Sequence, residues 1–132
     1  MATIFTKIIN GDIPCYKLAE DDRYFAFLDI NPLAKGHALV VPKAEVDYIF
    51  DLDPDTLAGL FRFSQRLAKA IELVVTCERI GVAVIGLEVP HAHVHLVPIN
   101  GIHDIDFSKP RVALSNEELS ALSKDISVKF ED

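Results

Sequence analysis

Residues 91–97 read His-Ala-His-Val-His-Leu-Val, and no other stretch of the 132-residue chain constrains the fold as strongly. In an extended strand, successive side chains point to opposite faces. His91, His93 and His95 therefore fall on one stripe, and Ala92, Val94 and Leu96 on the other. Imidazole exchanges protons near neutral pH and can act as a nucleophile, so such a strand gathers reactive groups on one face. A zinc ion shared between alternate histidines is the competing chemistry, with His37, His103 and Glu88 as candidate further ligands.

The elements around this strand read as α+β. Thr3 can cap a short opening helix that Asn10-Gly11 ends. Strands are expected over Cys15–Glu20, Tyr24–Asp29, Gly36–Val41, Val82–Leu87 and His93–Ile99, the first two joined by the short polar connection Asp21-Asp22-Arg23. Asp53-Pro54 starts a long helix, since an acceptor at the N-cap followed by proline suits the first turn. One apolar stripe on that helix runs through Leu57, Leu60, Leu67 and Ile71, and a second through Phe63, Ala70, Leu73 and Cys77. The second stripe lies either against a partner subunit or under a terminal segment of the same chain. Ser115-Asn116-Glu117-Glu118 forms a capping box for a last helix with Leu119, Leu122 and Ile126 on its buried side. The sum is an antiparallel sheet of about five strands with one long helix, a short N-terminal helix and a C-terminal helix, in a single domain over residues 1–132.

A net charge of −7 with no Lys/Arg cluster argues against binding a nucleic-acid polymer, while a small nucleotide needs only a few aimed donors. Cys15 and Cys77 have no metal-type spacing, and no apolar run approaches the length of a bilayer span. A cytoplasmic protein with no membrane association and no cofactor is expected.

The string His91-Ala92-His93-Val94-His95-Leu96-Val97 resembles the signature of the histidine-triad (HIT) superfamily, in which histidines alternate with hydrophobic residues. Ile4-Phe5-Thr6-Lys7-Ile8-Ile9, Ile13-Pro14, Phe25 to Pro32 and Gly36 to Lys43 resemble further blocks of that family in the same order, and the chain resembles its HINT-like nucleotide-binding branch. The resemblance covers roughly residues 3–100 and leaves about 101–132 as an extension. It implies a HIT-like fold, a homodimer, and cleavage at the α-phosphate of a purine nucleotide, of phosphoramidate or dinucleoside polyphosphate type, through a nucleotidyl-histidine intermediate. It further implies that His93 is the nucleophile, held by a hydrogen bond to the carbonyl of His91, with His91 and His95 contacting phosphate, shaping the site or moving protons. Ile4, Phe5 and Ile8 resemble base-pocket residues, Asp29 the ribose-binding carboxylate, and His37 a histidine near the triad. No metal is expected.

Two departures bear on activity. Leu87 and Glu88 stand where the family commonly carries hydrogen-bond donors to phosphate, and Glu45 stands where a histidine often follows Pro-Lys. A nucleotide-binding regulatory protein with little turnover is therefore an alternative, and a metal-binding β protein a further one.

Overall fold

In the computed structural model, which describes residues 2–131, helix α1 (Ile4–Ile9) precedes strands β1 (Lys17–Glu20), β2 (Tyr24–Leu28) and β3 (Ala38–Pro42). A 3-10 turn (Ile49–Asp51), helix α2 (Pro54–Glu72), strands β4 (Arg79–Ala83) and β5 (Val94–Ile99) and helix α3 (Asn116–Glu131) follow. The strands form one sheet in the order β1-β2-β3-β5-β4, every neighbouring pair antiparallel. No helix among the described residues is long and apolar enough to cross a membrane.

The capping residues act as their chemistry requires. Thr3 Oγ1 accepts from the Thr6 amide at 3.1 Å, and Asp53 Oδ1 from the Thr56 amide at 2.9 Å. Before α3, Ser115 and Glu118 exchange reciprocal bonds of 3.1 Å.

Both faces of the sheet are covered, which explains why β2 and β3 read as continuous apolar runs rather than alternating ones. On one face Ala26, Leu28, Val40, Val94 and Leu96 pack under α2 and α3. On the other, Phe25, Phe27, Leu39 and Val41 pack with Phe5 and Ile8 of α1. The second stripe of α2 lies in part beneath the same chain: Phe63 is buried, and its ring sits 5.1 Å from that of Phe130 in α3. Leu73, expected on that stripe, is exposed, because α2 ends at Glu72.

The strand expected over Val82–Leu87 lies earlier, at Arg79–Ala83. Its register on β5 runs from Arg79↔Ile99 to Ala83↔His95. Beyond Ala83 the chain leaves the sheet, turns at Gly86 with φ +76°, and exposes Val84, Ile85 and Leu87. The left-handed backbone at Gly86 is open to glycine at little cost and interrupts the extended run. Hydrophobicity misleads here because the apolar residues line cavities instead of filling the core. The five-stranded antiparallel sheet, the long α2, the short α1 and the C-terminal α3 otherwise match the expected α+β arrangement.

Candidate active site

β5 begins at Val94, so His91 and His93 lie in the extended segment leading into it, yet the alternation holds. Ala92, Val94 and Leu96 join the core under α2, while the histidines face the α1 side. His93 packs edge-on against Phe5, with ring centroids 4.9 Å apart.

His93 Nδ1 lies 2.7 Å from the carbonyl oxygen of His91. A carbonyl only accepts, so Nδ1 carries the proton and Nε2 keeps its lone pair. The same reasoning fixes the other rings. His91 is fully buried; its Nε2–H donates to the Pro42 carbonyl at 2.8 Å, and its Nδ1 accepts from the Thr3 hydroxyl at 2.8 Å. Both nitrogens of His91 are thus engaged by protein, which holds the carbonyl that orients His93. Glu45 extends this chain: its Oε1 accepts from the Thr3 amide at 2.8 Å and from the Thr6 hydroxyl at 2.6 Å, pinning the first turn of α1 beside His91.

His37, also fully buried, accepts at Nδ1 from the Leu33 amide at 2.9 Å. Its proton therefore sits on Nε2 and points to His95 Nδ1, 3.0 Å away. His95 in turn carries its proton on Nε2. Every buried side-chain N or O atom among the described residues has a partner. The unpartnered Nε2 atoms of His93 and His95 are therefore accessible, and both residues line one cavity of about 340 Å³.

Electrostatics favour neutral rings. Burial pushes His95 down to about 4, aided by His93 and Arg111, and pushes His37 down to about 3, aided by His95 and Arg111. Burial also lowers His93, against the opposing pull of the His91 carbonyl. The Asp29 carboxyl is raised by burial.

Of the residues singled out in the sequence, Phe5, Asp29, His93 and His95 line the cavity together. His37 stands behind His95, with its Nε2 3.6 Å from Asp29 Oδ2. Ile8 is buried in the α1-side core, and Ile4 is 48% exposed, so neither lines the cavity. Of the candidate zinc donors, His103 is exposed in a turn, and Asp29, His37 and His95 instead bring ligand atoms within 4.8 Å of one another. A metal there would have to break the His37–His95 hydrogen bond, which is already a satisfied pairing. The sequence reading missed Asn31, Phe107 and Arg111, which complete the cavity. Phe107 and Arg111 come from the connection between β5 and α3, beyond the recognised blocks.

A family model described as "HIT domain" matches residues 10–101. The adenosine 5′-monophosphoramidase hnt1 of Schizosaccharomyces pombe is 38% identical over 98% of this chain and 99% of its own length. A Saccharomyces cerevisiae protein of the same name is 40% identical over 74% of this chain and 62% of its own. Among solved structures, a Hit-like protein from Bartonella henselae is 30% identical, with TM-score 0.81 over 96% of this chain and 95% of that one. A zinc-bound histidine triad family protein from Mycobacterium smegmatis is 26% identical, with TM-score 0.85 over 99% of this chain and 94% of that one. Matched in its domain model, in full-length relatives and in fold, the chain belongs to the HIT family.

Proposed function

We propose that this protein hydrolyses purine nucleotides at the α-phosphate, with adenosine 5′-phosphoramidates as the substrate class, through covalent catalysis by His93. The observation that carries the reading is the 2.7 Å bond from His93 Nδ1 to the His91 carbonyl, which leaves an unprotonated Nε2 on the wall of a nucleotide-sized cavity. The activity named for the two yeast relatives supports the substrate class.

In the first step Nε2 of His93 forms a bond to the α-phosphorus as the bond from phosphorus to the amine breaks. In the second, water takes the place of His93 and releases the nucleoside monophosphate. Two moderate barriers thus replace one high one. His95 is neutral with its proton on Nε2, and a neutral imidazole is a poor acid. Its contribution is a hydrogen bond to a phosphoryl oxygen as negative charge grows there, and the departing amine takes its proton from solvent. His91 is a positioning residue, since both its nitrogens are engaged. Asp29 receives the ribose hydroxyls and Phe5 borders the base.

The protein also acts as a homodimer in this reading. Tyr48, Phe50, Phe61, Val84 and Leu87 are exposed apolar side chains around a second cavity of about 650 Å³ that reaches His93, and a partner subunit over them would close it. Sedimentation at micromolar concentration tests this, and a monomer refutes it.

Release of ammonia from adenosine 5′-phosphoramidate by the purified protein, with and without a chelator, tests the function. The reading requires turnover that survives chelation and disappears in His93→Asn. A folded wild-type protein that binds the nucleotide without turning it over would favour the regulatory alternative.

A further inference from the structure

The cavity beside His93 has an unusual balance of charge for a phosphate site. Asp29 and Glu88 both line it, and the preceding segment contributes Leu87, 88% exposed and unable to donate a hydrogen bond from its side chain. His93 and His95 are neutral near pH 7, for the reasons given above. Among the described residues, Arg111 is the sole Lys or Arg side chain on the cavity wall. A nucleoside monophosphate entering without Arg111 would meet two carboxylates and no cation.

The connection between β5 and α3 is built to hold this arginine in place. The Val112 amide donates to the Pro32 carbonyl at 2.8 Å, and Arg111 Nη1 donates to the Asn31 carbonyl at 3.0 Å. The guanidinium carbon lies 5.3 Å from the centre of the Phe107 ring, and that ring packs 4.8 Å from His95. Aromatic packing of this kind orients a guanidinium while leaving donors free. One of its five N–H groups is used on Asn31, and the remainder can form a fork for phosphate oxygens.

We propose that Arg111 is the phosphate-binding cation of this pocket, supplying from the chain's C-terminal part the positive charge and donors that residues 87 and 88 do not provide. The inference rests on the nucleotide reading of the cavity and adds to it a specific residue: Arg111 binds the 5′-phosphate, and Glu88 opposes it.

Calorimetric titration of adenosine, AMP and adenosine 3′-monophosphate into wild type, Arg111→Met, Arg111→Lys and Glu88→Gln tests both levels, with thermal melting to verify each fold. AMP affinity should fall about tenfold or more in Arg111→Met, recover in part in Arg111→Lys, and rise in Glu88→Gln, while adenosine affinity stays constant. Increasing salt should weaken AMP binding to wild type more than to Arg111→Met. Equal AMP affinity in wild type and Arg111→Met overturns the role of Arg111 and leaves the nucleotide site standing. Parallel losses for adenosine and AMP overturn it too, because they mark a structural role, as does a loss confined to the 3′-phosphate. Failure of wild type to bind either adenosine or AMP removes the nucleotide reading itself.

Discussion

Lowering the pH from about 7.5 to 5 should destabilise this protein through two buried histidines that carry the site's hydrogen-bond order. His37 and His95 titrate in the folded protein at about 3 and about 4, while their ordinary value is 6.5. A histidine depressed by folding binds protons more readily in the unfolded chain, so its stability contribution is full above 6.5 and is lost as pH falls towards the folded value. At pH 5 both rings remain neutral in the fold. The unfolded chain has then gained the equivalent of about 1.5 units for each, or roughly 2 kcal/mol per histidine and about 4 kcal/mol together. That is a large share of the roughly 5–15 kcal/mol that holds a typical domain. Carboxylates held low by partners, such as Glu20 beside Lys43 and Asp53 at its cap, act only below this window. Asp29, raised by burial, works in the opposite direction. Urea unfolding followed by circular dichroism at a series of pH values measures the slope directly. His93, also lowered by burial, adds to the loss in the same direction. The variant His37→Gln removes one titrating ring and keeps an N–H within reach of His95, so its acid loss should be smaller than that of wild type by roughly 2 kcal/mol. Wild-type stability unchanged between pH 7.5 and 5, or an identical slope in His37→Gln, would show that these two rings stay no harder to protonate in the fold than in the unfolded chain.

Three further outcomes follow from the geometry. Asp29→Asn should weaken nucleotide binding by about 1.5–3 kcal/mol, the usual loss for a hydrogen bond to a charged group, with little change in melting temperature; unchanged affinity by calorimetry would leave Asp29 only its 2.8 Å turn bond to the Asn31 amide. Thr3→Val removes the donor to His91 Nδ1 and the α1 cap together, and should cost about 1–2 kcal/mol of stability while lowering kcat more than it alters KM. Gly59→Ala would set a methyl group into the Tyr24 hydroxyl and break that hydroxyl's bond to the Thr56 carbonyl. Chemical denaturation should register about 1–3 kcal/mol of destabilisation.

Much of this was legible from local chemistry. Caps at Thr3, Asp53 and Ser115 announce helices because each satisfies amides within three residues, and the His91–Leu96 alternation survives because the Ala92, Val94 and Leu96 stripe has a core to enter. What sequence did not disclose depends on contacts between distant residues. Whether α2's second stripe meets a partner or its own chain is decided by Phe130, far along the chain. The apolar run at Val82–Leu87 carries the hydrophobicity of a buried strand, yet only Val82 and Ala83 stay in β4 while Val84 to Leu87 serve as cavity wall, and the polar start of β4 at Arg79 is concealed by its position at the sheet edge. Arg111 and Asn31 are eighty positions apart. The nearest local cue to Arg111 was a cation following Pro110 in an acidic chain, which says nothing of the pocket it enters. Glu45 likewise read as a departure from a pattern, and only its bonds to Thr3 and Thr6 give it a role.

The proposed catalysis stands on one bond, that between His93 and the nucleotide's α-phosphorus. Rapid acid-free quenching of wild-type protein with adenosine 5′-phosphoramidate, followed by proteolysis and mass spectrometry at mildly alkaline pH, reads that bond directly. An adenylyl group on the peptide carrying His93, appearing within one turnover, decaying as AMP forms, and absent from His93→Asn, is the expected result. Turnover by the wild type with no adduct on that peptide, matched by undiminished turnover in His93→Asn, would rule out His93 as the nucleophile.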